Sequence, residues 1–262
     1  KPEKITDDLL YNFPDTLVQE VAYESLLTQN RQEIHRRIGE ILENHLIHEA
    51  QETGQEVEPI LLRNCELLAH HFGRSDDQER ALKYLEMAAR RARDQYANQT
   101  AIENYLQIAR IKKAQDDKAG QASALYLAGV IAYEMGAYDL ARKNLHDTIL
   151  LQQEIGDTKS EGWSVMYAGM VALKQADYTA AAKNHSRAMQ LAQERQDKFQ
   201  EGIHLTNLAR VTMRLGDYDL AVEQFQKSLE MKKSLNDSTG VGFALFYSGL
   251  IYIHRSQFSE AS

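Results

Sequence analysis

Four stretches in the second half of the chain repeat one pattern at a constant spacing. They read LYLAGVIAYEMGAYDLA at 125–141, SVMYAGMVALKQADYTAA at 164–181, TNLARVTMRLGDYDLA at 206–221 and FYSGLIYIHRSQFSEA at 246–261. Each stretch has a small residue in its first half. In its second half it has an aromatic residue and, three positions later, an Ala. Self-similarity at a fixed period is typical of stacked supersecondary units. The pattern therefore predicts an array of helical repeats.

The recurring positions suit the packing of two antiparallel helices. Small residues allow helix axes to approach to about 8–10 Å, and they are Gly129, Gly169, Ala209 and Gly249. The aromatic residues after the turn are Tyr138, Tyr178, Tyr218 and Phe258. The small residues that open the second helices are Ala141, Ala181, Ala221 and Ala261. Each unit is therefore predicted to be one helical hairpin.

The predicted helix ends carry residues that satisfy free backbone groups. Gly136 and Gly216 suit the left-handed position that ends a helix. Thr158–Glu161 reads T-x-x-E, which predicts a capping box at the start of the next first helix. Asp197 with Gln200 predicts the same one unit later. The paired carboxylates, Asp7-Asp8, Asp76-Asp77 and Asp116-Asp117, are expected at helix N-termini or in loops.

These motifs resemble the tetratricopeptide repeat (TPR) over residues 122–262, although the unit is 40 residues instead of about 34. The resemblance implies an all-α, right-handed α-α superhelix, a TPR solenoid, preceded by a small N-terminal helical segment. We expect residues 1–60 to form a helical remnant of a winged-helix-like module and a linker helix. Residues 61–115 should form degenerate TPR-like hairpins, in which the 40-residue spacing is lost. Residues 116–262 should form regular units, of which the last is truncated. Because residue 1 is Lys and the last unit stops halfway, we expect the chain to be a piece of a longer protein.

The first sixty residues resemble the junction in signal-transduction ATPases of the STAND type, where a winged-helix-like module is followed by a helical arm. One matching phrase consists of Phe13, Leu17, Val18, Gln19, Glu20, Val21, Ala22, Tyr23, Ser25, Leu26 and Leu27; the second consists of Ile34, His35, Arg36, Arg37 and Ile38. The resemblance implies a bacterial signalling protein, often with a class III nucleotide cyclase or a protein kinase. We also predict a turn at Thr28–Arg31, and a helix with one face formed by Ile34, Ile38, Ile41, Leu42 and Leu46.

Composition and charge argue against several functions. The net charge of −8 arises in residues 1–60, which carry 5 Lys/Arg against 13 Asp/Glu, so no basic stripe for nucleic acid is present. No apolar run reaches the roughly 18 residues that span a bilayer. The lone Cys65 and the missing signal peptide favour the cytoplasm. Neither a phosphate-binding loop nor a G-x-S-x-G motif is present, so we expect no catalytic residue and no cofactor.

Nine histidines raise the question of a metal site. His45 and His48 share a helical face, and His70 and His71 are adjacent, but neither pair has the spacing of a zinc ligand set. We therefore predict no metal site, and we expect these histidines at surfaces or interfaces.

The first helices of a TPR array line its concave face, and this rule predicts a partner-binding groove. Its residues would be Tyr126, Val130, Tyr133, Trp163, Met166, Met170, Arg210, Met213, Arg214, Phe243, Phe246 and His254. Aromatic residues, Met and Arg are enriched at binding surfaces, and an apolar groove suits an amphipathic helix. Arg210 and Arg214 would hold a carboxylate at the rim. We expect an interaction or intramolecular docking arm, or alternatively a stand-alone scaffold or the sensor arm of a transcription activator.

Overall fold

A computed structural model describes the backbone of residues 21 and 23–260, and the side chains as far as residue 253. The predictions on Phe13 to Glu20, on Ala22 and on Ala261, and those on the side chains of His254 and Phe258, lie outside the described residues. The main helices are α1 Thr28–Thr53, α2 Val57–Arg63, α3 Cys65–Phe72, α4 Gln78–Asp94, α5 Asn98–Ala114, α6 Lys118–Glu134, α7 Tyr138–Ile155, α8 Thr158–Lys174, α9 Tyr178–Glu194, α10 Lys198–Arg214, α11 Tyr218–Ser234 and α12 Ser238–Glu260. The described residues contain no strand, and the predicted all-α superhelical class is confirmed.

The chain divides into two compact units, Lys1–Ala88 and Ala89–Ser262. In the second unit each helix from α6 onward packs against the next one, and the first helices of successive hairpins, α6, α8, α10 and α12, also contact one another. The predicted boundaries at residues 60 and 115 stay predictions.

The 40-residue register extends further upstream than the sequence motifs indicate. First helices begin at residues 118, 158, 198 and 238, and second helices at 138, 178 and 218. Helices α4 and α5 begin at 78 and 98, which continues the same series. Ala89 and Ala101, both fully buried, stand where Gly129 and Ala141 stand one unit later. The prediction that the spacing is lost before residue 116 is therefore wrong for α4 and α5, because no glycine marks this unit.

A left-handed residue ends each helix of the series, at intervals of half a unit. Their φ angles lie between 56° and 87°, and they are Tyr96, Asp116, Gly136, Gly156, Ala176, Gln196, Gly216 and Asn236. The backbone amide of the following residue donates a hydrogen bond to the carbonyl five positions earlier, as Asp177 does to Ala172 at an N–O distance of 2.9 Å. This is the Schellman arrangement, and the prediction for Gly136 and Gly216 is confirmed.

Aspartates that follow the left-handed residue cap the next helix. Their carboxylates accept a hydrogen bond from the amide three residues later, and they are Asp117, Asp157, Asp177, Asp197, Asp217 and Asp237. Asp197 is an N-cap as predicted, but Gln200 does not complete a capping box, since its Oε1 atom accepts from Arg195. Asp77 caps α4 in the same way through the Arg80 amide. The capping box at Thr158 is wrong by one residue: Asp157 is the N-cap, and Glu161 pairs with Arg187 at 3.2 Å.

Helix crossings explain two of the recurring glycines. A Cβ atom on Gly129 would lie 2.9 Å from Cγ of Leu145, and one on Gly169 would lie 2.7 Å from Cε1 of His185. Both distances are shorter than real contacts allow, so a side chain at either position would force Leu145 or His185 to shift. A Cβ atom on Gly249 would meet nothing within 4 Å. The predicted role in helix packing is therefore confirmed for two of the three glycines.

The last predicted turn does not form. Helix α12 continues through Phe258 to Glu260, whereas a turn was expected before Phe258. In the register of the array the left-handed residue and its capping neighbour would be Ser256 and Gln257. These two residues supply no local stop signal such as glycine, asparagine or an N-cap aspartate. Unlike Tyr96, they also have no described following helix whose packing could impose the turn.

The first unit buries a polar face of α1. His35, Gly39 and Glu43 are buried, whereas Ile34, Ile38 and Ile41 are exposed. Glu43 accepts a hydrogen bond from the hydroxyl of Tyr84, which offsets the cost of its burial. The predicted apolar face is thus not the buried one. The turn predicted at Thr28–Arg31 is also wrong, since these residues form the first turn of α1.

Candidate docking groove

The candidate site lies on the side of the second unit that α6, α8, α10 and α12 share, called here the inner face. Alternate helices contact one another on this side, because the first helices converge there. Small residues at the crossings bring the helices close together, so the side chains at the first-helix surface form one continuous strip.

Three tyrosines form the first half of the strip. The Tyr167 ring lies edge-on to Tyr126 and Tyr133, with centroids 5.9 and 5.8 Å apart. Edge-to-face packing at such distances is favourable. Burial raises the pKa of Tyr126 to about 12, and it also raises the pKa of Tyr133 and of Tyr167. The phenols are therefore neutral hydrogen-bonding groups at the edge of an apolar surface.

A cavity of about 600 Å³, called here the second cleft, forms the other half. Its apolar walls come from α8, α10 and α12, and they consist of Trp163, Met166, Tyr167, Met170, Phe199, Ile203, Phe243 and Tyr247. Polar groups line the remainder, and they include Thr206, Asn207, Arg210, Lys232 and Asp237. Apolar walls with a few polar groups are typical of ligand sites.

Arg210 is the cation of this cleft with no carboxylate partner among the described residues. Its Nη1 atom donates to Oδ1 of Asn207 at 3.0 Å, and its guanidinium carbon lies 4.8 Å from the ring centroid of Tyr247. Lys232, by contrast, is almost fully buried and lies 3.3 Å from Oδ2 of Asp237. The pKa of Asp237 is lowered by the backbone amide of Gly240 and by Lys232. The Arg210 charge is therefore available to a ligand.

A smaller cavity of about 270 Å³, called here the first cleft, occupies the equivalent position two units earlier. Its lining includes Ser123, Tyr126, Leu127, Gln152 and Trp163. Trp163, the single tryptophan of the chain, thus lies between the two clefts.

The twelve predicted groove residues fall into four groups. Residues that line a cleft or the tyrosine cluster are Tyr126, Tyr133, Trp163, Met166, Met170, Arg210 and Phe243. Val130 is buried, and Met213 packs against the cluster of Ala209, Ala221, Phe225 and Ile251. Phe246 is exposed with its ring 5.2 Å from that of Tyr247, and Arg214 is exposed outside both clefts. The side chain of His254 is outside the described residues.

Several lining residues were not among the predicted groove residues. Tyr167, Asn207 and Tyr247 occupy one position of the unit, next to the position of Met166 and Phe246. The signal that would have found them is the recurrence of aromatic or amide residues at this second position. Phe199 and Lys232 also line the cleft, because the three-dimensional arrangement brings a helix start and a second helix to the inner face.

Two histidines that sequence reasoning did not single out are fully buried behind the inner face. No described group forms a hydrogen bond with either ring nitrogen of His185 or of His204. Burial, with the charges of His204 and Arg210, lowers the pKa of His185 to about 3. Burial, with the charge of Arg195, lowers the pKa of His204 to about 4. Both are therefore neutral at pH 7.

Three further histidines cluster in the first unit. Nδ1 of His35 lies 3.1 Å from Nδ1 of His71, and the ring centroids of His70 and His71 are 5.1 Å apart. Burial lowers the pKa of His71 to about 4. Across the described part of the chain, no group of three or more His, Cys, Asp or Glu side chains has an arrangement that could hold a metal ion. No described helix has the length and hydropathy needed to cross a membrane.

Comparisons with known proteins agree with this fold. A family model for the tetratricopeptide repeat matches residues 160–234. No curated protein matches the chain. A STAND protein with a tetratricopeptide repeat sensor from Pyrococcus horikoshii superposes with a TM-score of 0.62 at 18% identity, over 84% of this chain and 34% of that one. The present chain thus spans about a third of that protein.

Two further solved structures show the same fold. RapI in its apo form superposes with a TM-score of 0.65 at 12% identity, over 90% of this chain and 64% of that one. Aspartyl phosphate phosphatase F from Bacillus subtilis superposes with a TM-score of 0.56 at 12% identity, over 90% and 72%. The chain is therefore similar to tetratricopeptide repeat proteins, by sequence in residues 160–234 and by fold over most of its length.

Proposed function

We propose that the inner face binds an amphipathic helix, supplied by a partner protein or by another part of the same chain. The observation that carries this proposal is the continuous strip of tyrosines and apolar side chains that includes Arg210. Contiguous apolar surface of this kind is unusual on a protein that has no partner. A helix with one apolar face would cover it, and a carboxylate on that helix would neutralise Arg210.

The proposed setting is a multidomain bacterial signalling protein in the cytoplasm, in which this chain is the sensor arm. The two phrases in the first forty residues support the setting, since they resemble the junction of STAND ATPases. A fold shared with a STAND protein that has a tetratricopeptide repeat sensor is consistent with it. To find a phosphate-binding loop upstream in the same reading frame would support the setting. A reading frame that starts at residue 1 would contradict the setting and favour a stand-alone scaffold. A helix-turn-helix domain next to this chain would favour a transcription activator.

Binding is tested with a displayed library of 16-residue peptides designed as amphipathic helices. Selected peptides are then measured against a triple variant, Trp163→Ala, Phe243→Ala and Phe246→Ala. We expect at least a tenfold loss of affinity, because large side chains at an interface centre dominate its energy. The matched control is Leu150→Ala with Leu220→Ala, which removes exposed apolar side chains from second helices. Equal affinity for the triple variant and the wild type contradicts the groove.

A further inference from the structure

The two clefts occupy equivalent positions in the array, which allows a comparison within one chain. Their linings correspond at a spacing of two units, as Gln152 corresponds to Lys232, Asp157 to Asp237 and Trp163 to Phe243. The volumes nevertheless differ, about 270 Å³ against about 600 Å³. Pockets that hold ligands span roughly 300–1,000 Å³, and only the second cleft falls in this range.

The second cleft extends along α8, where Met166, Tyr167 and Met170 line it, whereas the equivalent residues two units earlier do not line the first cleft. One side-chain replacement adds to the difference in volume. Thr206 stands where the first cleft has Tyr126, so a phenol ring is missing from the second cleft. Asn207 replaces Leu127, which adds an amide beside the cavity. Both side chains form hydrogen bonds with neighbouring residues. The Thr206 hydroxyl shares one with Ser228 at 2.6 Å, and Asn207 accepts one from Arg210.

A further replacement between equivalent positions introduces the positive charge of the second cleft. Arg210 occupies the position of Val130, which is buried two units earlier. Asn207 and the face of Tyr247 orient the guanidinium toward the cleft that it lines. An arginine that is positioned but has no carboxylate partner among the described residues is complementary to a carboxylate ligand.

We propose that the second cleft is the anchor pocket of the groove, and that it takes one large apolar side chain of a peptide whose neighbouring carboxylate pairs with Arg210. The inference rests on the proposed function, since it names the feature of the helical partner that is recognised. The aromatic and methionine walls enclose the side chain, and the guanidinium at the cavity edge selects an acidic neighbour.

The test uses 4-phenylbutyrate, which joins a phenyl ring to a carboxylate, and its neutral amide. We expect a Kd on the order of 1 mM for the acid, as is usual for a fragment of this size, and about fivefold weaker binding of the amide. Arg210→Met should abolish the preference for the acid. Ligand-observed NMR measures both compounds, and circular dichroism verifies the fold of each variant.

Two variants fill the cleft with side chains from equivalent positions. Thr206→Tyr restores the residue of the first cleft but removes the hydrogen bond to Ser228. Ile203→Trp introduces the equivalent Trp163 side chain and leaves that hydrogen bond intact. Each folded variant should lose binding at least tenfold. The matched control Leu220→Trp adds the same side chain at an exposed position of α11 that lines neither cleft, and it should bind as the wild type does.

Two results overturn the inference. One is the absence of 4-phenylbutyrate binding up to 20 mM, roughly twenty times the expected Kd; the other is unchanged binding to folded Ile203→Trp. A different result would show that the proposed function is wrong: 4-phenylbutyrate would bind the second cleft, but no helical peptide would be selected from the library. If helices are selected and Ile203→Trp does not weaken them, the groove stands and the anchor pocket does not.

Discussion

Replacement of His185 by Leu should make the second unit resistant to acid. The equivalent residues one unit earlier and one unit later are Leu145 and Phe225, both fully buried. Leu is therefore a side chain that this position of the repeat accepts. It also removes two ring nitrogens that have no hydrogen-bond partner among the described residues.

The magnitude follows from the lowered pKa. In the unfolded chain a histidine has a pKa of about 6.5, whereas burial lowers that of His185 to about 3 and that of His204 to about 4. Below pH 6.5 the unfolded chain binds protons that the folded protein does not, so stability falls with pH until the folded pKa is reached. At pH 5 each histidine lowers the free energy of unfolding by ~2 kcal/mol relative to pH 7, since one pKa unit corresponds to ~1.4 kcal/mol.

The assay is urea denaturation at pH 7 and at pH 5, followed by the fluorescence of Trp163, which reports on the second unit alone. Other titrating groups contribute equally to both proteins. The wild type should therefore lose ~2 kcal/mol more than His185→Leu between the two pH values. The matched control is His146→Leu, at an exposed position on α7, which should behave as the wild type does. An equal loss in wild type and His185→Leu, with equal urea dependence, refutes the reasoning.

Three further predictions concern the repeat and use the same denaturation assay at pH 7. Gly129→Ala should destabilise the protein by ~1–3 kcal/mol because its Cβ atom would clash with α7, whereas Gly249→Ala should stabilise it by ~0.5–1 kcal/mol through helix propensity; equal midpoints would contradict the close crossing. Gly136→Ala should cost ~1 kcal/mol and Ala176→Gly should gain ~0.5 kcal/mol, since both residues are left-handed; effects of one sign would argue against that conformation. Asp177→Ala should cost ~1 kcal/mol through the lost N-cap, while Asp177→Asn should retain most of the stability.

Local signals predicted the hairpins of the second unit well. Glycine at 136 and 216 marks left-handed helix ends, and buried alanines mark the helix crossings. The same signals failed at the other helix ends, where Tyr96, Asp116 and Gln196 adopt the left-handed conformation without being glycine. Packing of the two flanking helices imposes that conformation, so the half-unit spacing was not visible from glycine alone.

The binding surface was predicted only in part. The rule for first helices found Trp163, Met170 and Arg210, because these side chains lie at positions of the unit that the rule assigns to the concave face. It also included Val130, since a rule based on position does not tell a buried side chain from a lining one. Lys232, from a second helix, joins the cleft only through the packing of α11 against α12.

The sequence by itself determined the helical hairpin, its length and its stacking, since each depends on local backbone preferences and on a periodic apolar pattern. The tertiary structure decided which repeat units form a cavity with room for a ligand. Two clefts built on the same register have different volumes, to which the smaller size of Thr206 relative to Tyr126 contributes, and Arg210 is available because no described carboxylate pairs with it. It also decided that the polar face of α1 is buried, because Glu43 has Tyr84 as a partner from a distant helix. Volumes, unpaired charges and long-range partners arise only once the helices are packed.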